Sequence, residues 1–302
     1  LGYIYYYGKG VNQDFEEAFI WFKKAADQGH LDALNNLGLA YRNGEGVREN
    51  LEKAFQNLRY AADKGYSYSQ NNLGFMYLNG DYVDLDLKES FKWFKLAAKQ
   101  NLDFAQVNLG NAYYNGDGTK QDFEKAVYWY TQAANQGFEG GQNNLAEAYY
   151  TGKGVNQNIP EAFKNYKLAA DQGYVNALIN IANMYNKGIG TPKDSNTALE
   201  YLSFNSIIEN PIALNLKGEI LLNNLNNGDN LKEAIESFEK ATLLEEKNKF
   251  GYGKPYLNLG DLYFDGVGKE KNLKKSLELY KIAAKKCNAG AGIKLNEIFE
   301  YG

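Results

Sequence analysis

Residues 33–65 read ALNNLGLAYRNGEGVRENLEKAFQNLRYAADKG, and two pairs of small or apolar residues in this stretch recur along the chain. Successive copies of the Leu-Gly pair lie 36 residues apart. They stand at Leu1, Leu37, Leu73 and Leu109, and in relaxed form at Leu145-Ala146 and Ile181-Ala182. The Ala-Ala pair keeps the same step between residues 25 and 170 and returns at 283–284. Two markers in one register indicate internal repeats, each a supersecondary unit.

Each unit reads as two helices. Helix A, such as 32–43, is followed by a Gly-x-Gly turn, and glycine after a helix is the usual left-handed stop. Six residues after the first glycine comes Asp or Asn, the preferred N-cap of the next helix, helix B. These predicted caps are Asp14, Asn50, Asp86, Asp122, Asn158, Asp194, Asn230 and Asn272. Glu follows three residues later in four units, as in a capping box. Helix B then has apolar residues at helical spacing.

The regular spacing is interrupted once. Both markers slip by six residues, which places an insertion between Thr242 and Leu259, within 243–255. The stretch 191–255 is degenerate, since it lacks the Ala-Ala pair of its first helix B and the Gly-x-Gly turn after Asn223. We therefore predict one all-α solenoid over 1–302, in about eight units starting near 1, 30, 66, 102, 138, 174, 210 and 252, with a final helix at 290–300.

These motifs resemble the Sel1-like repeat family, a relative of the tetratricopeptide repeat. The family pattern is roughly A-x-x-x-L-G-x-x-Y-x-x-G-x-G-V, then D-x-x-K-A-x-x-W-x-x-K-A-A-x-x-G. In the second unit the matching residues are Ala33, Leu37, Gly38, Tyr41, Gly44, Gly46, Val47, Asn50, Lys53, Ala54, Ala61, Ala62 and Gly65. The tryptophan returns at Trp93 and Trp129.

The resemblance implies a right-handed α-α superhelix that serves as an adaptor or scaffold for other proteins. It also implies a bacterial source, and an envelope, periplasmic or secreted location rather than a cytoplasmic one. A cysteine-rich branch of the family ties its repeats with disulfides. Since Cys287 is the lone cysteine of the sequence, the chain does not resemble that branch.

The candidate binding surface comes from the related tetratricopeptide solenoid, in which helix A lines the concave side. If the same helix A positions are exposed in this chain, they present aromatic rings and amides with few charges. Such a mixture suits an extended peptide. We therefore predict a groove for a peptide or protein, although these side chains could instead pack between units or merely line the groove. Its predicted contact residues are Tyr68, Asn71, Phe75, Phe104, Asn111, Tyr114, Asn143, Glu147, Tyr150 and Asn183.

A second set of amides repeats with the fold. An asparagine directly precedes the Leu-Gly position in most units, and a residue with this regularity favours a structural role. We predict that these side chains bond the backbone between units. They are Asn36, Asn72, Asn108, Asn144, Asn180 and Asn258.

Composition limits the classes of function. The chain is 44% hydrophobic and 23% charged with net charge −4, as in a folded protein, and it has no basic block. This argues against nucleic acid or an anionic membrane as the main partner. No apolar run is long enough to span a bilayer, and we expect a monomer.

Motifs for catalysis or metal binding are weak, so we expect neither a cofactor nor a catalytic site. His30 and Cys287 lie at opposite ends of the repeats, which excludes a Cys–His pair. Ser237 and Lys240 match S-x-x-K of penicillin-interacting enzymes, but the companion motifs are missing. The acidic residues around Asp86 lack the glycine spacing of a calcium loop, and calcium stays a minor alternative.

The sequence therefore predicts a protein-interaction scaffold. One narrower alternative is an immunity or host-interaction factor that sequesters a toxin or a host protein. Another, of a different class, is a non-catalytic repeat domain of a longer enzyme or signalling protein. An activity that depends on a flanking domain would indicate the second alternative.

Overall fold

The structure is a computed structural model that describes residues 1–224, 228–249, 251–286 and 288–301. In these residues it is all-helical, which confirms the predicted repeat solenoid of helix–turn–helix units. The chain forms two compact units, residues 1–158 and 159–302. Each of them is described separately below.

Helices A and B alternate along both units. In the first unit, helices A are α1 (Gly2–Tyr7), α3 (Leu31–Asn43), α5 (Ser67–Asn79), α7 (Asp103–Asn115) and α9 (Glu139–Thr151), and helices B are α2 (Phe15–Ala26), α4 (Leu51–Asp63), α6 (Leu87–Lys99) and α8 (Phe123–Asn135). In the second unit, helices A are α11 (Val175–Lys187), α13 (Pro211–Leu222), α15 (Lys254–Asp265) and α17 (Ala289–Tyr301), and helices B are α10 (Ile159–Asp171), α12 (Ser195–Tyr201), α14 (Gly228–Asn248) and α16 (Leu273–Lys285).

The turn from helix A to helix B has the same construction in most repeats. Gly44 ends α3 in the left-handed region at φ 72°, and Asn50 then caps α4 by accepting a hydrogen bond from the Lys53 amide at 2.9 Å. The N–H of Asn50 donates to the Tyr41 carbonyl at 2.8 Å, and six other predicted cap residues repeat this bond to a tyrosine. One half of the predicted capping box is confirmed, since Asp14 and Asp86 accept from the amides of Glu17 and Glu89. The reciprocal half is wrong, because the N–H of the cap residue donates to a tyrosine carbonyl of helix A instead of the Glu side chain.

The Leu-Gly pair explains how the two helices of a repeat pack. Leu109 is buried, and a Cβ on Gly110 would stand 2.5 Å from the ring of Tyr130 on α8. The same contact joins Gly74 to Phe94 in α5 and α6. Only glycine leaves room for a ring at this distance, so the repeat buries its large helix B side chain against a helix A backbone.

The degenerate stretch differs from the regular repeats in its helix B. Helix α12 has seven residues, whereas α14 has 21 instead of the usual 13. The prediction that Asn230 is an N-cap is wrong, because α14 begins at Gly228 and already contains it. Its side chain donates to the Asn224 carbonyl at 2.5 Å. The inserted residues extend α14 to Asn248.

Candidate functional site

The helix A side of the first unit holds most of the predicted contact residues. Tyr68 on α5 is 46% exposed and Glu147 on α9 is exposed. Four more predicted residues are half-buried on this side, namely Phe75, Phe104, Tyr114 and Tyr150. Asn183 is half-buried on α11 of the second unit. The helix A positions taken over from the tetratricopeptide solenoid are therefore accessible to a ligand at these rings and at Glu147.

Two predicted contact amides are not on the surface. Asn71 is 2% exposed and Asn143 is 7% exposed, which corrects their predicted positions in an open groove. Asn71 accepts a hydrogen bond from Asn108 Nδ2 at 2.8 Å, and Asn143 donates to Asn144 at 3.1 Å. Asn71 therefore belongs to the packing between repeats, whereas the printed bond of Asn143 stays within α9. The phase failed here because positions two residues before the leucine turn towards the neighbouring helix A.

The asparagines that precede Leu-Gly form the other half of this packing. Asn72 donates to Asn35 Oδ1 at 2.9 Å, as Asn108 does to Asn71. In the second unit Asn258 donates to Asn215 Oδ1 at 2.8 Å. The predicted structural role between repeats is confirmed for these residues. Their acceptor is a side-chain carbonyl of the preceding helix A rather than the predicted backbone group.

A cavity of about 200 Å³ opens between α5, α6 and α7. Phe75 lines it and packs against Phe94 with the ring centroids 5.2 Å apart. Asn108 and Asn111 line it as well. Asn111 Oδ1 accepts from the Tyr130 hydroxyl at 2.8 Å, while Asn111 Nδ2 and Asn108 Oδ1 form no hydrogen bond with any residue that the structure describes. The cavity thus offers an apolar wall, the unpaired Nδ2 of Asn111 and the unpaired Oδ1 of Asn108, with Ser90, Asn115 and Asp117 as further polar lining.

A polar row runs beside this cavity and was missed in the sequence. The residue after the first glycine of the turn bonds the residue that lies 39 positions earlier, on the preceding helix A. Lys153 Nζ donates to the Tyr114 hydroxyl at 2.8 Å, which raises the pKa of the lysine. Arg42 donates to Asp81 at 2.7 Å in the same relative position. The sequence signal for this row was the residue after the first glycine of each turn, since its identity varies while the turn itself recurs.

A row of aromatic rings runs along three helices A, α1, α5 and α7, and we call it the tyrosine rail. It comprises Tyr3, Tyr7, Tyr66, Tyr68 and Phe104. Tyr3 stacks on Tyr7 with the centroids 6.2 Å apart, and Tyr66 stacks on Tyr68 at 5.6 Å. Phe104 lies 5.6 Å from Tyr68. Sequence reasoning found Tyr68 and Phe104 but missed Tyr66, because Tyr66 precedes the first residue of α5.

Asp32 joins the two halves of the tyrosine rail. Its Oδ1 accepts hydrogen bonds from the hydroxyls of Tyr3 at 2.8 Å and Tyr66 at 2.9 Å, and from Asn36 Nδ2 at 3.2 Å. Burial, followed by the bond to Asp32, raises the pKa of Tyr3 to about 12 and raises the pKa of Tyr66 as well. Both phenols therefore stay protonated near neutral pH and keep donating to the carboxylate.

The other residues considered for chemistry have structural environments. Ser237 is 5% exposed, and its hydroxyl donates to the Glu233 carbonyl within α14 at 2.8 Å. His30 is exposed just before α3, and Cys287 lies outside the described residues. Asp86 caps α6. Within the described part of the chain, no three His, Cys, Asp or Glu side chains form a group that could hold a metal ion. The described helices include none with the length and apolarity to cross a membrane.

Comparison with known proteins gives a consistent family. The model of the Sel1 repeat matches residues 1–30, 31–66, 67–102, 103–138, 140–174, 175–203 and 256–286. A comparison with curated protein sequences gives no match. A crystal structure of a protective antigen from uropathogenic Escherichia coli strains, with an SLR fold, is 34% identical at a TM-score of 0.77. That alignment covers 100% of this chain and 63% of the antigen.

A second solved structure agrees with the first. The Sel1 repeat protein from Oxalobacter formigenes is 31% identical at a TM-score of 0.68, over 93% of this chain and 80% of that chain. The matches to the repeat omit residues 204–255, which contain most of the degenerate stretch. The regular repeats and the last one thus carry the family pattern.

Proposed function

Because the chain belongs to the Sel1 repeat family, we propose that it is a protein-interaction scaffold and that its helix A side binds an extended segment of another protein. The observation that carries this proposal is the cavity of about 200 Å³ at Phe75 and Asn111. It lies among predicted contact residues, and it combines apolar lining with polar groups that lack protein partners. Such a combination is typical of a recognition pocket.

The chemistry of the cavity fits a peptide. Phe75 and Phe94 provide an apolar wall for one side chain, and aromatic rings give contact area at a low cost in conformational entropy. Asn111 Nδ2 can donate to a peptide carbonyl, and Asn108 Oδ1 can accept from a peptide N–H. A carbonyl and an N–H recur in every residue of an extended segment, so these amides bind the backbone while the rings select a side chain.

The flanking residues extend the contact in both directions along the helix A side. Tyr68 and Phe104 lie on the tyrosine rail, and Tyr114 lies under Lys153. Tyr150 and Glu147 continue the surface on α9. Asn71 and Asn143 lie beneath this surface, because both side chains are buried. Asn183 is proposed as a separate contact on the second unit.

The test begins with affinity purification of the partner from the native source, followed by its binding to purified variants. We expect Phe75→Ala to weaken binding by about tenfold or more, since truncating a central aromatic contact costs on the order of 2 kcal/mol. The matched control is Tyr60→Ala on helix B, where the ring is 53% exposed. The control should leave the dissociation constant unchanged.

A second variant separates binding from folding. Asn111→Asp keeps the oxygen that accepts from Tyr130, and it replaces the free amide donor with a carboxylate oxygen. We expect an intact circular dichroism spectrum with weaker binding. If Phe75→Ala and Asn111→Asp bind the partner as tightly as the wild type, the helix A side is not its binding surface. A captured toxin would give the scaffold a sequestering role.

A further inference from the structure

We propose that Asp32 and the tyrosine rail bind an arginine side chain of the partner segment. This inference rests on the proposed function, since it assigns a side-chain specificity to the same helix A side. It goes further by placing a second pocket around Asp32, apart from the cavity at Phe75. The occupant is defined by its chemistry, a planar cation flanked by extended backbone.

Asp32 is held ready for such a cation. Three donors fix its Oδ1, namely the hydroxyls of Tyr3 and Tyr66 and the amide of Asn36, at 2.8, 2.9 and 3.2 Å. Its Oδ2 accepts no hydrogen bond from the residues that the structure describes, and the side chain is exposed. A carboxylate with one oxygen fixed and the other open needs little further ordering to bind a guanidinium.

The rings beside Asp32 favour a planar cation. Tyr66 and Tyr68 stack with an interplanar angle of 27°, and Tyr68 is 46% exposed. A guanidinium can lie flat on such a ring while its edge bonds a carboxylate, whereas a lysine ammonium cannot do both equally well. At Tyr7 the chain's own Lys9 already lies over the ring at 5.2 Å. No described cation occupies the faces of Tyr66 and Tyr68.

The charges of the first unit fit the same occupant. Its helices A contain four carboxylates, Asp32, Asp103, Glu139 and Glu147, against one cation, Arg42. The charge of Arg42 is compensated by Asp81 at 2.7 Å. The helices B of the same unit carry nine basic and six acidic side chains. A cationic segment is therefore attracted to the helix A side rather than to the helix B side.

A purely structural role is the competing explanation, because the bonds of Asp32 also link neighbouring helices A. The two explanations differ in ligand specificity, since a structural carboxylate has no reason to distinguish arginine from its neutral analogue. The probes are therefore the N-acetyl N-methylamides of arginine, lysine and citrulline. Citrulline keeps the planar shape of arginine, but it lacks the charge and has an acceptor oxygen in place of one of the nitrogen donors.

The experiment is a chemical-shift titration of the ¹⁵N-labelled protein with each probe. We expect saturable shifts at the amides around Tyr3, Asp32, Tyr66 and Tyr68 with the arginine probe. The lysine probe should bind about threefold more weakly, the size of one ring–cation contact at an exposed site. The citrulline probe should give no saturation. Equal binding of arginine and citrulline, or shifts centred elsewhere, would overturn the proposal.

Variants locate the effect. Asp32→Asn removes the charge and keeps an oxygen for both tyrosine hydroxyls, so we expect the fold to persist and arginine binding to disappear. Tyr68→Leu removes an exposed ring and should weaken binding of the arginine probe. It replaces Asp32→Asn as the test variant if Asp32→Asn does not fold. The matched control is Asp63→Asn on α4, an exposed carboxylate paired with Arg59. An equal loss in the control would mean non-specific attraction and would overturn the proposal.

The outcomes separate this inference from the proposed function. One outcome is that Phe75→Ala weakens partner binding while the arginine probe causes no saturable shifts at the tyrosine rail. In that case the helix A side still binds proteins, and the proposed arginine pocket is wrong. If the arginine probe saturates at the rail but Phe75→Ala keeps full partner affinity, the arginine pocket stands and the cavity loses its proposed role.

Discussion

The repeat formed by α7 and α8 and the one formed by α13 and α14 bury the same contact, although only the first has the Gly-x-Gly sequence between its helices. In the first, a Cβ on Gly110 would lie 2.5 Å from Tyr130, and in the second a Cβ on Gly218 would lie 2.5 Å from Phe238. Both rings are buried, at 4% and 0% exposure. The contact between a helix A glycine and a helix B ring thus persists where most other landmarks are lost.

The ends of the two helices B show what replaces those landmarks. Helix α8 is followed by Gly137 in the left-handed region at φ 84°. Helix α14 continues to Asn248, and near its end Glu245 is 0% exposed. One oxygen of Glu245 accepts from Lys286 Nζ at 2.8 Å and from the Tyr252 amide at 3.0 Å. A buried carboxylate therefore fastens the inserted residues, whereas a glycine turn is sufficient in the regular repeat.

The largest expected effect on stability comes from the buried pair of Glu245 and Lys286. Lys286→Met would leave Glu245 as an uncompensated buried charge, and we expect the second unit to lose about 3 kcal/mol of unfolding free energy. Urea unfolding followed by circular dichroism measures this. The regular region supplies the control, because Arg59→Met removes partly exposed contacts, namely the pair with Asp63, a 3.5 Å hydrogen bond to Tyr77 and a ring contact with Trp93, and should cost about 1 kcal/mol. Equal costs would show that the insertion does not depend on the pair.

Sequence reasoning predicted most of the fold, since its markers report local geometry. Leu-Gly, Gly-x-Gly and the cap residues each correspond to a packing or backbone requirement within one repeat. Glu245 could not be predicted in this way, because its partner Lys286 is 41 residues away and belongs to no repeated motif. The position of the insertion was predicted from the slip in register, but the extension of α14 to Asn248 was not.

The glycine contact gives the next largest effect and tests the similarity of the two regions. Gly110→Ala and Gly218→Ala should each destabilise the protein by about 2 kcal/mol, because each Cβ meets a buried ring that has little room to move. Gly292→Ala is the control, since nothing lies within 4 Å of its Cβ position. A harmless Gly218→Ala beside a costly Gly110→Ala would mean that the degenerate repeat is loosely packed.

The candidate site was predicted less completely than the fold. The transferred helix A phase located Phe75 and Tyr68, since their positions follow from helical periodicity alone. It misplaced Asn71, because a one-position change in phase decides whether an amide faces solvent or the next helix. It also missed Asp32 as a centre, since its partners Tyr3 and Tyr66 come from two other repeats. Contacts between repeats require the stacking geometry, which the periodicity does not provide.

The smallest effect concerns the caps. Asp194 caps the short helix α12 by accepting from the amides of Asn196 and Thr197 at 3.0 Å, whereas Asn272 caps α16 with a neutral amide oxygen. The hydrogen bonds from Thr197 lower the pKa of Asp194 below its ordinary value of 3.8. A lowered pKa means that the carboxylate stabilises the fold above the unfolded value and loses this effect as the pH falls through the folded value.

The degenerate repeat should therefore contain an acid-sensitive cap that the last repeat lacks. We expect Asp194→Asn to melt at a lower temperature than the wild type at pH 6, and the difference to shrink as the pH falls below 3.8. Asn272→Asp should make the last repeat acid-sensitive in the same way, because it exchanges a neutral cap for a charged one. A difference between Asp194→Asn and the wild type that stays constant down to pH 3 would show that the charge of Asp194 contributes nothing to capping α12.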